Sequence, residues 1–219
     1  MALLGKDVAK QVKEILSEME DEVKILFFSS DDESVCEYCS TIDQLLSELT
    51  ELSDKLHVEK INVDEDPDAM ERYDVEMVPA LVLIPKDGKD RGVRFYGVPA
   101  GHEFSTFLQD ILIFSKQAKP QLSEESVEKL SKIDKPVDIK VFVTTTCPYC
   151  PRAVLTAHQI ALVNDNIKAS MVEANEFMDL SARFGVSSVP HTVINEKHMF
   201  VGAYPEKEFV NEVLKALEV

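Results

Sequence analysis

The sequence predicts an α/β protein made of two tandem units, each a mixed central sheet of about four strands flanked by helices. Three observations carry this. Two C-x-x-C motifs, Cys36-Glu37-Tyr38-Cys39 and Cys147-Pro148-Tyr149-Cys150, are each followed by a Val-Pro pair, Val78-Pro79 and Val189-Pro190, and the step from first cysteine to proline is 43 residues both times. Around those prolines the apolar pattern repeats at an offset of 111, with Arg72-Tyr73-Asp74-Val75 over Arg183-Phe184-Gly185-Val186 and Ile61-Asn62-Val63-Asp64 over Val172-Glu173-Ala174-Asn175. Helix and strand signals also run in the same order in both halves. A chain of 219 residues holds two units of roughly 110 residues comfortably, and their expected spans are 1–118 and 119–219.

In the first unit, period and punctuation predict a helix over 6–19, a strand over 23–29, a helix over 37–55, a strand over 58–63 and a short helix over 67–73. A hairpin of strands 80–85 and 91–97, turned at Asp87-Gly88, and a helix over 101–115 complete it. In the second unit a helix over 124–133 opens with Ser123 as N-cap and Glu124 and Glu125 in its first turn. A strand over 138–144, a helix over 148–163, a strand over 167–173, a short helix to 184, a hairpin over 191–202 and a helix over 206–217 follow. Gln117-Ala118-Lys119-Pro120-Gln121 is the linker.

The offset is not constant. Upstream, Lys24-Ile25-Leu26-Phe27-Phe28-Ser29-Ser30 lies over Lys140-Val141-Phe142-Val143-Thr144-Thr145-Thr146, which makes the first motif's loop five residues longer through Asp31-Asp32-Glu33-Ser34-Val35. Downstream, Gly97 and Phe104 lie over Gly202 and Phe209 at an offset of 105, so the second hairpin is shorter.

With 23 basic against 40 acidic residues the net charge is −17, a surface that repels phosphate backbones, so nucleic acid is not an expected partner. Solubility accounts for that acidity more simply than steering of a ligand. Met-Ala-Leu-Leu-Gly before Lys6 is too short for the apolar region of a signal peptide, and no run approaches a membrane span. The expected location is the cytoplasm, with no membrane partner. Six Asn, six Gln and 7 Gly in the whole chain fit a thermophilic source.

All 4 cysteines fall in the two motifs, so each is a site candidate. A cysteine just before a helix, with a second three residues on, has its partner within disulfide range. The first sulfur faces the unpaired N–H groups and positive dipole end of the helix, which favours thiolate. Cys36 and Cys147 are therefore the expected nucleophiles, and Cys39 and Cys150, one turn in and more buried, the resolving thiols. The competing reading is a zinc ion held by all four, but zinc ribbons place their pairs far closer than Cys39 and Cys147 stand; no metal is expected. The shared spacing also predicts cis bonds at Val78-Pro79 and Val189-Pro190, whereas Val98-Pro99 lacks the spacing and reads as a turn.

The element order is that of the thioredoxin fold. Cys147-Pro148-Tyr149-Cys150 is the glutaredoxin-type tetrapeptide, and with Val189-Pro190 the second half resembles a glutaredoxin or thioredoxin domain. Two such units in tandem, the first with Cys-x-Tyr-Cys, resemble the protein disulfide oxidoreductases of hyperthermophiles over nearly the whole chain. The resemblance implies thiol–disulfide exchange on protein substrates, with no cofactor beyond the redox-active disulfides. It also implies recharging by a thioredoxin-reductase-like or other redox partner, and pairing into a homodimer as in some members. It assigns substrate contact to Val78 with Pro79 and Val189 with Pro190, each valine presenting its backbone to a peptide as an added strand.

The sequence departs from the wider fold family in two ways. Many thioredoxins carry a buried acid six residues before the first cysteine as proton acceptor for the resolving thiol. Here that place holds Ser30, or Ile25 once the longer loop is allowed for, and Val141. There is no tryptophan, so the Trp-Cys signature is missing. His191 and Arg152 are candidates to tune the second thiolate, or else a surface residue and a solvent-facing one. Two other functions stay open: an electron relay to a peroxidase-type partner, as in the tandem thioredoxin-fold module of some flavin reductases, and a redox-silent peptide-binding or metal-holding protein.

Overall fold

The computed structural model describes residues 2–218. The chain divides into two compact units, Met1–Asp90 with Phe95–Pro99 and Phe107–Ala118, and Arg91–Arg94 with Ala100–Thr106 and Lys119–Val219.

In chain order the first half runs α1 (Lys6–Leu16), β1 (Val23–Ser29), α2 (Cys39–Thr50), β2 (Leu56–Asn62), α3 (Ala69–Arg72), β3 (Ala80–Pro85), β4 (Val93–Tyr96) and α4 (Glu103–Ser115), with strand order β2-β1-β3-β4. β1 is parallel to β2 and antiparallel to β3, with Phe28 opposite Ala80 and Phe27 opposite Leu81. A parallel neighbour on one side and an antiparallel one on the other bury β1 from Ile25 to Ser29, as expected of an apolar run with helices over both faces. Phe28 meets Tyr73 edge-on at 5.6 Å, fixing one face under α3. On the other face the Lys60 ammonium sits 6.0 Å from the Phe27 ring and donates to Asp43 of α2, so α2 covers the Phe27 side. Gly88, at φ 75, turns the hairpin with its N–H on the Pro85 carbonyl.

The second unit follows as α5 (Glu124–Ser131), β5 (Val137–Val143), α6 (Cys150–Ala161), β6 (Ile167–Glu173), α7 (Met178–Arg183), β7 (His191–Ile194), β8 (His198–Val201) and α8 (Glu206–Ala216), in order β6-β5-β7-β8. The Ser123 hydroxyl accepts from the Ser126 N–H, capping α5 as expected. Phe142 faces Phe184 at the end of α7, at 6.0 Å. Phe200 of β8 meets Phe209 of α8 edge-on at 5.1 Å, and α6 packs beside α8, so these two helices share the other face. Each sheet is thus a two-sided core of the thioredoxin-fold kind.

Three strands, β1, β3 and β6, match their predicted bounds, while every helix is shorter than its apolar period suggested. α2 and α6 start at Cys39 and Cys150, because the residues between each pair of cysteines form turns and leave the first cysteine outside the helix. The register also corrects the repeat. Phe28 opposes Ala80 and Phe142 opposes His191, each the residue after a Val-Pro pair, so the strands superpose at an offset of 114. Ser29 is seven residues from Cys36 and Val143 four from Cys147, hence the first loop is longer by three residues, not five. The position expected to hold a buried acid is therefore Phe27 in the first unit and Val141 in the second, both fully buried.

The β7–β8 hairpin turns through Asn195 and Glu196, both with positive φ (50 and 59), while Lys197 N–H donates to the Ile194 carbonyl. That is a type I′ geometry, which favours Asn then Gly. Glu196 pairs with Arg183 across exposed surface, worth a few tenths of a kcal/mol at most. Glu196→Gly should stabilise the protein by about 0.5–1 kcal/mol, seen as a raised Tm; an unchanged or lower Tm would show the left-handed glutamate costs nothing.

Candidate active sites

Each C-x-x-C pair is closed on itself. Cys36–Cys39 and Cys147–Cys150 are disulfides with Cα atoms 5.4 and 5.5 Å apart. The four sulfurs thus form two disulfides, one within each motif. Both Val78-Pro79 and Val189-Pro190 are cis, as the equal spacing predicts, and Val98-Pro99 is not. The carbonyl of each cis proline accepts from a glycine N–H, Gly97 at 3.1 Å and Gly202 at 2.8 Å. These glycines have φ of 94 and 110, which a side chain rarely tolerates. The backbone of Val78 and of Val189 makes no hydrogen bond among the described residues, so it can pair with an extended peptide.

In the second site the Cys150 N–H, the first of α6, donates to Cys147 Sγ at 3.2 Å. A donor fixed on that sulfur favours the thiolate when the disulfide opens. Pro151 follows at the helix start and offers no N–H of its own. Cys147 is 7% exposed and Cys150 0%, the expected order of access. Tyr149 projects into solvent at 71% exposure, an apolar platform beside the disulfide. Arg152 is exposed, so the solvent-facing reading holds.

The first site reverses the expected burial, with Cys36 at 3% and Cys39 at 8%. The cause is the longer loop. The Asp32 carbonyl accepts from the N–H groups of both Val35 and Cys36, at 2.9 Å each, which folds the cysteine into a turn. The loop's acids hold it together: Asp64 accepts from the Ser30 hydroxyl and the Asp31 N–H, Asp31 accepts from Asn62, and Asp32 accepts from the Ser34 N–H and hydroxyl. These Ser34 bonds hold the Asp32 carboxyl below the usual carboxylate range. Asp31 and Asp32 thus build the loop as well as adding charge.

Two features of the second site were not legible beforehand. Residues 100–106 group with this unit, where His102 N–H donates to the Thr145 carbonyl at 2.9 Å, just before the motif. Gly101, at φ 60, has no room for a side chain, since a Cβ there would lie 2.1 Å from that carbonyl oxygen. His191, after the cis proline, is buried rather than on the surface. Neither ring nitrogen has a hydrogen-bond partner, and the ring lies edge-on to Phe142 at 6.4 Å. Burial pushes its pKa down, so it stays neutral near pH 7 and supplies no positive charge to a thiolate.

This burial has a pH signature. A histidine whose folded pKa lies below its unfolded value binds more protons when unfolded, so stability falls as pH drops through the unfolded value of about 6.5. His191→Phe should flatten the decline of Tm between pH 7.5 and 5; an unchanged slope would assign that decline to other groups.

Comparison with known proteins agrees with this geometry. A thioredoxin-domain family model matches residues 137–215, and a model for a domain of unknown function, DUF7088, matches residues 8–97. The crystal structure of a protein disulfide oxidoreductase from Aeropyrum pernix is similar at 31% identity, covering 98% of this chain and 94% of that one, with a TM-score of 0.89. The NTD_N/C domain of alkylhydroperoxide reductase AhpF from Enterococcus faecalis is similar at 26% identity, covering 95% and 99%, with a TM-score of 0.85. The F component of Staphylococcus aureus alkyl hydroperoxide reductase is 26% identical over 194 residues, 88% of this chain and 34% of that protein. The chain spans about a third of the length of the curated relatives it matches.

Proposed function

The chain belongs to the family of protein disulfide oxidoreductases built from tandem thioredoxin folds, and from that premise we propose that it oxidises, reduces or reshuffles disulfides in protein substrates through its two C-x-x-C dithiols. The observation that carries this is the pairing, in both units, of a disulfide at a helix start with a cis proline that follows a valine of unpaired backbone. A substrate strand pairing with Val78 or Val189 would lie along the groove beside the sulfurs.

In the reductive direction Cys36 or Cys147, as thiolate, attacks one sulfur of a substrate disulfide. A mixed disulfide forms and the other substrate sulfur leaves as thiolate, taking up a proton. Cys39 or Cys150, having lost its proton, then attacks its motif partner, releases the second substrate thiol and closes the protein disulfide. Two electrons pass from the dithiol to the substrate, and the reverse sequence oxidises it. A redox partner of the thioredoxin-reductase kind recharges the sites, in the cytoplasm, and the chain works as a monomer or a homodimer.

A second reading is favoured by the similarity to the F component of alkyl hydroperoxide reductases over 88% of this chain: relay of electrons to a single peroxidase-type partner. Reduction of insulin disulfides at rates well above those of dithiothreitol alone supports broad action on proteins. Failure with insulin, together with fast reduction of a peroxiredoxin, supports the relay.

Cys147→Ser should abolish insulin reduction by the second unit in a chain whose first site is disabled by Cys36→Ser and Cys39→Ser. Cys150→Ser in the same background should accumulate a mixed disulfide visible on non-reducing gels. Trapping by Cys147→Ser instead would reverse the assigned order of attack.

The two sites should also differ in potential. Cys147 has an N–H donor on its sulfur, whereas Cys36 is more buried and lies beside Glu37. Burial and a neighbouring anion both disfavour thiolate, so the second disulfide is the better oxidant, near the glutaredoxin range of about −200 to −230 mV, and the first lies lower. Titration of the two double-serine proteins against glutathione checks this, and a more oxidising first site would refute it.

A further inference from the structure

We propose that each unit holds a buried hydroxyl, Ser29 in the first and Thr192 in the second, whose hydrogen-bond partner is the sulfur of the resolving cysteine in the reduced protein. This deepens the proposed dithiol function and rests on it. Ser29 and Thr192 are 1% and 0% exposed, and neither hydroxyl bonds another group of the protein in the disulfide form. An unpaired buried hydroxyl is destabilising, so a protein that keeps one gains if another state pairs it.

The fold places both under the right helix. Ser29 is two residues beyond Phe27 on β1 and so on the same face of the sheet, the face that α2 covers through Lys60 and Asp43. Moving from Phe27 to Ser29 advances about 6.6 Å toward the sulfur end of β1, and moving from Asp43 back to Cys39 retreats one helical turn, about 5.4 Å, toward the same end. In the second unit Thr192 lies opposite both Val141 and Phe200. Phe200 packs against α8, and α8 packs beside α6, so Thr192 faces the helix that begins with Cys150. It is one residue into β7 from the cis-proline end, where the chain enters α6.

Chemistry supplies the need. Cys39 and Cys150 are 8% and 0% exposed, and burial disfavours the thiolate that must attack the mixed disulfide. The places where a carboxylate would assist from the first strand hold Phe27 and Val141. A hydroxyl donating to the sulfur, directly or through one water, stabilises that thiolate. In the closed disulfide neither hydroxyl bonds a sulfur, and opening the S–S bond frees the resolving sulfur to turn toward it.

The sign of the effect follows from a thermodynamic cycle. Removing the hydroxyl relieves the oxidised state and deprives the reduced state, so the disulfide becomes harder to reduce. The experiment equilibrates the full chain with reduced and oxidised dithiothreitol, which delivers two electrons and two protons to the cysteine pair as it cyclises. Thr192→Val is read in the Cys36→Ser/Cys39→Ser background and Ser29→Ala in the Cys147→Ser/Cys150→Ser background. Each should lower the equilibrium constant for reduction about tenfold, a fall of about 30 mV, while Thr192→Ser stays within about twofold of its parent. The oxidised form of Thr192→Val should melt no lower than its parent.

If the parent sites titrate reversibly but both variants leave the constant within twofold, or raise it, the hydroxyl assignment is overturned and the dithiol function stands. A lower oxidised Tm for Thr192→Val also overturns it, since the hydroxyl would then have a partner in the disulfide state. If the parent sites do not titrate at all, the dithiol function falls and this inference with it.

Discussion

The active end of each unit depends on one register, the pairing of the first strand with the strand after the cis proline. Phe28 opposite Ala80 and Phe142 opposite His191 decide which residues look toward the redox helix and which toward the short helix on the far face. A slip of one residue would exchange the two sets along the strand. It would turn Phe27 and Ser29 away from α2 and put Phe28, now against Tyr73, in their place. The cis proline is tied to the same register, because its carbonyl is fixed by the glycine that ends the next strand. The strand register therefore sets which face each of these residues takes, and the loop bonds around Asp32 and the glycine bonds to each cis-proline carbonyl complete the site.

How much of this was legible in the sequence depended on the kind of signal. β1, β3 and β6 are bounded by charge, proline or turn residues and are mostly apolar between, broken only by Lys24 in β1 and by Lys168 and Ser170 in β6, so their limits could be read directly. Helix ends were overestimated because an apolar period continues into turns that are not helical. The repeat offset was misplaced because Lys24 and Lys140 look alike, whereas the register is set by the phenylalanines that pack under α3 and α7. The cysteines and both cis bonds were legible because a fixed spacing survives low identity. The burial of Cys36, the isolation of His191 and the unpaired hydroxyls of Ser29 and Thr192 were not, since each depends on what covers the residue rather than on its neighbours in sequence.

The two sites share a plan but solve it with different residues. In the second, α6 starts close to the end of β5 and its first N–H reaches the Cys147 sulfur. In the first, three extra residues let the chain fold a turn of its own, and the sulfur that should be the more accessible is the more buried of its pair. The repeat keeps the elements that set strand register while the loops differ, so the two disulfides sit in unlike surroundings.

The turn over Cys36 is held by carboxylates accepting from backbone and serine donors, and among them Asp32 is ionised more readily than an ordinary aspartate. Stabilisation of this sign is complete above the usual aspartate value near 3.8 and fades only as acidity carries Asp32 through its lowered value. The Asp32 bonds that shape the turn over Cys36 thus persist across the ordinary range of acidity.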